Sequence, residues 1–294
     1  MPNLKEVRNR ITSVNSTKQI TSAMKLVSAA KLKKAQDAIT RMRPYANKLK
    51  EILSNLSQSM DASEGIYSRQ REVKNVLLIV VTSNRGLCGA FNANVIKKAN
   101  QAIENTYAKQ LAEGKVHVIT VGKKATSFFS KKQGVELLYS HDELFGSLTF
   151  EAVIPVAEKA MKLFTEGKVD KVEFIYNQFK SAGTQLVLQE QFLPVLPPTT
   201  NDKANNASQD YIFEPSKAEI VENLIPLSLK TQFFKVLLDS HAAEHGARMT
   251  AMHKATDNAS DLLKNLKLSY NKARQAAITN EILEIVAGAE ALKG

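Results

Sequence analysis

HAAEHGARMTAMHKATDNASDLLKNLKLSYNKARQAAITNEILEIVAGAEALKG, residues 241–294, is the stretch whose reading decides the fold. No proline interrupts it, and its glycines are Gly246, Gly288 and the terminal Gly294. Met249, Met252, Thr256, Ala259, Leu263, Leu266, Tyr270, Ala273 and Ala277 recur at spacings of three and four. Ile278, Ile282 and Ile285 carry the stripe on, shifted by one position. That spacing predicts an α-helix with a narrow apolar seam, far longer than the usual three or four turns. At 1.5 Å per residue it spans about 75 Å. A helix of that length needs a second long helix, or a larger assembly, to cover its seam.

The N-terminal end supplies the second helix. Residues 3–56 open on a capping box, Asn3 with Glu6 three positions on. Their stripe runs Leu4, Val7, Ile11, Val14, Met24, Val27, Lys31 or Leu32, Ala35, Ile39, Met42, Leu49, Leu53 and Leu56. Pro44 predicts a kink or local break. Two long helices at the termini with a compact segment between them predict an antiparallel coiled coil carrying an inserted domain. Ala, Thr, Ser and Met occupy seam positions where an ordinary zipper would have Leu and Ile.

The intervening residues change period. Residues 57–72 are polar and read as a linker. Strands are predicted over 73–81, 115–121, 135–139 and 171–179, alternating with helices over 90–108, 123–132 and 147–165, the last despite Pro155. Residues 184–195 add an edge or hairpin strand. The fold class is therefore α/β plus long helices, with a Rossmann-like domain inserted into a coiled coil. The expected division is an N-terminal coiled-coil helix over 1–57, an α/β foot over 70–210 and a C-terminal coiled-coil helix over 211–294. A mobile surface loop is expected at 197–210. The second long helix is expected to begin at Ser216, capped with Glu219, and to kink at Pro226.

Charge is concentrated at one end. The net charge is +11, and residues 1–60 hold twelve Lys or Arg against Glu6, Asp37 and Glu51, a net of +9. Such a helix needs an acidic counterpart, either a protein surface or a nucleic acid. A basic helical nucleic-acid-binding protein, or a structural scaffold, is the alternative reading. Against nucleic acid, the basic helix carries an apolar stripe along its whole length, and no RRM, KH or zinc-finger signature accompanies it. The single cysteine, Cys88, allows no intrachain disulfide and fits a reducing compartment. The longest apolar run, Val76–Val81, is a third of a membrane span, so a membrane connection is expected only through partners.

No catalytic, cofactor or metal site is predicted. Gly86 and Gly89 follow a strand, but RGLCGAF lacks the G-x-G-x-x-G order and the acidic residue that would hold a ribose. Gly86 and Gly89 are expected to shape a tight strand-to-helix turn, with Cys88 packed beside them. His241, His245 and His253 lie on the C-terminal helix, the first two one turn apart. His241 and His245 could share a face and bind a metal, but two imidazoles near Glu244 are too few for a specific claim from sequence, and exposed helix histidines are the expectation.

Three blocks carry a resemblance. LKEVRNRITSVNSTKQITSAMKLVSAAKLKKAQ (4–36), SNRGLCGAFNANVIK (83–97) and ARMTAMHKATDNASDLLKNLKLSYNKARQAAITNEILEIVAGAEAL (247–292) together resemble the gamma subunit of the F-type ATP synthase. The resemblance implies a rotor shaft that performs no bond chemistry itself. Its terminal helices would form a left-handed coiled coil inside a ring of three alpha and three beta subunits. Its α/β domain would stand with the epsilon subunit on the membrane c-ring, with the delta subunit in the same complex. Rotation driven by proton flow would take each beta site through its binding states, and ATP hydrolysis would run the motor backwards. The implied location is peripheral, on the cytoplasmic face of the bacterial inner membrane.

The same resemblance assigns partner contacts. Met24 and Lys25 match the neck that faces acidic beta-subunit loops. Glu244 and Arg248 match a polar pair against the stator ring, and Arg274 and Gln275 a pair that meets a beta-subunit loop higher up. Thr279 and Glu281 match the same upper region. Two departures stand out. Asn84 replaces the usual aspartate before RGLCG, and His245-Gly246 replaces two helix formers, at about 1 kcal/mol for the glycine.

Overall fold

The computed structural model describes residues 4–57, 66–195 and 217–292. The expected caps at Asn3 and Ser216, half of the 57–72 linker and all of the 197–210 loop lie outside the described residues. The chain divides into two compact units, Met1–Ser28 with Arg248–Gly294, and Ala29–Ala247. Two helices run through both: α1 (Leu4–Ser57) and α6 (Lys217–Ala291). Pro44 and Pro226 fall inside them. The break expected at Pro44 does not occur, because one missing backbone N–H removes a single rung of a helix held by many others.

The first unit is a helical pair. Both chains leave it at the same end, one after Ser28 and the other before Arg248, so the helices run antiparallel. In α1 the buried positions Val7, Thr21 and Ser28, with Val14 half-buried, recur every seven residues, a period that Ala35, Met42 and Leu49 repeat along the part of α1 in the second unit. That period keeps one seam facing a partner helix. Val27, placed in the seam by its hydrophobicity, is 57% exposed; the small polar Ser28 next to it is buried instead. In α6, Met252, Ala259 and Leu263 are buried and Thr256, Leu266, Tyr270, Ala273 and Ala277 half-buried, as their spacing predicts. The continuation through Ile278, Ile282 and Ile285 is exposed.

The second unit is a three-layer α/β structure. β1 (Val76–Val81), β2 (Val116–Val121), β3 (Val135–Ser140), β4 (Lys171–Phe179) and β5 (Gln185–Leu193) form one sheet in the order β3-β2-β1-β4-β5. All neighbours are parallel except β4 and β5, an antiparallel hairpin that places β5 at the edge. β1 is buried throughout, since alternate residues serve opposite layers. Leu77, Ile79 and Val81 pack with Val153, Ala157 and Phe164 of α5 (Phe150–Thr165) and Leu229, Phe233 and Leu237 of α6. Val76, Leu78 and Val80 pack with Val95 and Ala99 of α2 (Phe91–Gln101) and with Phe129 of α4 (Lys123–Phe129). The single helix expected over 90–108 is divided. A π turn at Ala102–Thr106 and a break at Tyr107 separate α2 from α3 (Ala108–Ala112), which lets Tyr107 turn inward to 3% exposure.

Candidate functional site

The polar residues of the helical seam form their own layer. Thr21 is 8% exposed and Ser28 2%. The Ser28 hydroxyl donates to the Met24 carbonyl at 2.7 Å, and the Thr21 and Thr256 hydroxyls meet across the pair at 2.8 Å. Met24 and Lys25 are half-buried beside this layer. On the outer side, Ile20, Leu26 and Val27 stand 60%, 67% and 57% exposed among the lysines of the basic helix.

The register of the pair determines where it ends. With Thr21 opposite Thr256, antiparallel helices place Leu4, the first described residue of α1, opposite Ala273. Residues 278–292 therefore continue past the end of α1, roughly 22 Å at 1.5 Å per residue. Arg274, Gln275, Thr279 and Glu281 are all exposed on this part of α6. The Thr279 hydroxyl donates to the Gln275 carbonyl at 2.9 Å. Ile282, Leu283, Ile285 and Val286 are 54–71% exposed on the same stretch. Counting Ile278 at 47% and Leu292 at 90%, six bare aliphatic side chains lie on this stretch, an apolar exposure of the kind found at contact surfaces.

Glu244 and Arg248 are placed differently. Each is 7% exposed and each has interactions within the chain. They lie one turn apart on α6, on either side of the unit boundary. His245 is also buried, at 6% exposure, and His241 is half-buried. The expectation of exposed histidines holds only for His253, whose Nδ1 pairs with Asp257 at 3.3 Å. The burial of His245 follows from its place in the same seven-residue frame as Met252 and Ala259, a frame that hydrophobicity alone does not show.

In a doubly wound sheet, ligands occupy the crevice beyond the carboxyl ends of the strands where the strand order reverses, here between β1 and β4. The turn after β1 is held by its own side chains. The Ser83 hydroxyl donates to the Arg85 carbonyl at 2.6 Å, and the Asn92 carboxamide accepts from the Ser83 N–H at 2.9 Å. Asn92 also donates to the Cys88 Sγ at 3.2 Å. Leu87 and Gly89 both take positive φ, 62° and 59°. Glycine was expected to carry this turn, and the strained Leu87 was not. Cys88, Phe91 and Ala243 are buried together, with Phe179 and Ala247 against them. A Cβ on Gly246 would lie 3.2 Å from the Ala182 backbone and 3.4 Å from the Phe179 ring. Helix α6 thus packs against the turn after β1 and against the β4–β5 hairpin, and Gly246 is the residue that lets it approach. Asn84 donates to the Asp142 carbonyl at 2.7 Å and accepts from the Lys123 N–H at 3.0 Å. An aspartate could make only the second of these bonds.

No helix among the described residues is long and apolar enough to cross a membrane. Among known proteins, the sequence model of the family described as ATP synthase matches residues 3–292. The chain is 60% identical to the ATP synthase gamma chain of Flavobacterium johnsoniae over 295 residues, covering 100% of both. It is 54% identical to that of Cytophaga hutchinsonii over 294 residues, covering 99% of each. Its fold is similar to a chain in the cryo-EM structure of the Euglena gracilis mitochondrial ATP synthase (OSCP/F1/c-ring, rotational state 3), with TM-score 0.67, 20% identity, and 98% and 94% of the two chains covered. Full-length similarity at this level of identity, on paired terminal helices around an α/β insert, places this chain in the family of ATP synthase gamma chains.

Proposed function

We propose that this chain is the central rotor shaft of a proton-translocating ATP synthase. Rotation of a membrane c-ring turns it, and the turning helices drive three beta-subunit sites through ATP synthesis; hydrolysis reverses the sequence. Residues 1–57 and 211–294 are the shaft and 70–210 the foot, which docks with the epsilon subunit on the c-ring. The alpha and beta subunits, three of each, surround the shaft, and delta belongs to the same complex. The chain carries out no bond chemistry and reaches the cytoplasmic face of the inner membrane only through partners. The observation that carries this reading is the helix end at 278–292. It outruns α1 and shows bare aliphatics beside exposed Arg274 and Gln275, as a shaft tip seated in a surrounding ring would.

Within that role Met24 and Lys25 face acidic beta-subunit loops at the neck, and Glu244 and Arg248 contact the stator ring. Arg274 presents five donors in a rigid fork to a carboxylate. Gln275 points about 100° away and serves a second contact, with Thr279 and Glu281 beyond. The test is Arg274→Ala in an assembled complex of five soluble subunit types in the proportion 3:3:1:1:1. Loss of a charge-assisted contact of about 2–3 kcal/mol at one rotary position should cut multisite ATP turnover about 30-fold or more while single-site hydrolysis is retained. Normal multisite turnover in the assembled variant would refute the contact. Failure of the wild-type chain to co-purify with alpha and beta subunits would refute the function.

A further inference from the structure

The rotor role leaves one contacting pair of imidazole side chains unused. His241 and His245 lie one turn apart on α6, with their Nε2 atoms 3.1 Å apart and their rings at 84°, centroids 4.5 Å apart. Neither ring is loosely held. His245 is 6% exposed, and His241 stacks on Phe145 with an interplanar angle of 10° and centroids 5.7 Å apart. His241 is half-buried, so one side of the pair is reachable from solvent.

We propose that His241 and His245 form a bidentate imidazole site for a borderline divalent transition-metal ion of the zinc class. Imidazole nitrogens bind zinc at about 2.0–2.1 Å. Two such ligands at an angle between 90° and the tetrahedral value stand about 2.9–3.4 Å apart. The observed separation of 3.1 Å falls inside that interval before any metal arrives, so the two nitrogens need not change their spacing to share one ion. In the metal-free chain one Nε2–H donates to the other Nε2. Ligation needs both rings with the proton on Nδ1, so the bridging proton moves to Nδ1 of the donor ring and the ion takes its place. Among the described residues no group of three or more His, Cys, Asp or Glu could hold a metal, so water completes the coordination shell. Half of a four-ligand set leaves an affinity of roughly 1–100 μM, and imidazole ligation favours zinc and copper over magnesium or calcium.

The test is calorimetric titration of the full chain with Zn²⁺ in a buffer that does not chelate it. One ion per chain is expected, with affinity falling at least tenfold in His241→Ala and in His245→Gln and staying unchanged in His253→Ala. Circular dichroism checks that each variant is folded. Should the buried His245→Gln fail to fold, the half-exposed His241→Ala carries the test alone. Absence of saturable binding below about 1 mM would overturn the site, as would full affinity in folded His241→Ala. Binding lost in His253→Ala would place the ion at the exposed His253–Asp257 pair and overturn it equally.

Discussion

Thr256 and Thr21, 235 residues apart in the chain, join the two terminal helices through a hydroxyl–hydroxyl hydrogen bond of 2.8 Å. Each hydroxyl also lies within reach of a carbonyl on its own helix, Met252 for Thr256 at 2.8 Å and Lys18 for Thr21 at 3.0 Å. Each has one proton, so one hydroxyl donates across the pair and the other donates to its own helix. A half-buried polar layer of this kind selects one register of a helical pair at some cost in stability.

The first prediction follows from that layer. A double-mutant cycle of Thr21→Val and Thr256→Val should give a coupling of about 0.5–1.5 kcal/mol, read from denaturant unfolding of the full chain. Each single valine leaves the other hydroxyl bonded to its own helix, so the single losses should be small. A coupling of zero would show that the contact does not hold the register.

Gly246 should resist improvement. In an open helix, Gly→Ala gains about 1 kcal/mol. Here the new Cβ would meet the Ala182 Cα and O at 3.2 Å, and that backbone must give way. Gly246→Ala should therefore leave stability within about 1 kcal/mol of wild type, and Gly246→Leu should lose about 1–3 kcal/mol through overpacking. Thermal unfolding checks both; a clear gain in Gly246→Ala would mean that the β4–β5 turn is not pressed against α6.

The α/β unit should weaken in alkali. Burial, and then the neighbouring Glu173, push the Tyr107 phenol up; burial, and then Glu190, push Tyr176 up. Both folded values lie above the unfolded value of about 10. The stabilisation is thus fully present below pH about 10 and is lost as pH rises through the folded values, because the unfolded chain gives up its protons first. Urea unfolding between pH 8 and 11 should show this decline, and Tyr107→Phe should make it shallower. An identical slope in that variant would assign the decline to other groups.

Met24 tests the neck. It is half-buried beside Lys25, and an uncharged thioether suits a surface that slides past acidic groups. In membranes bearing the assembled complex, Met24→Lys should retain ATP hydrolysis while protons pumped per ATP fall, because the added charge binds too strongly at one rotary angle. Equal losses in both activities, or none, would argue against a coupling role for this position.

What the sequence determined by itself was the part carried by periodicity. Spacings of three and four over residues 249–277 specify a long helix with a seam, and the alternation of apolar runs with helical patterns specifies the layered insert. Both are local consequences of 3.6- and 2-residue repeats. Tertiary structure decided which residues occupy the seam, because burial follows the seven-residue frame rather than hydrophobicity. Ser28 and Thr21 are inside and Val27 is out. It also decided the state of the histidines: the same letters at i and i+4 describe two solvated side chains or a contacting pair, and only the packing around α6 tells them apart. The Asn84 bridge from Asp142 to Lys123 and the close approach of Gly246 to Ala182 join segments 39 to 64 positions apart in sequence. No local pattern encodes such distances; they arise when the two faces of the sheet are covered and the chain has one remaining way to close.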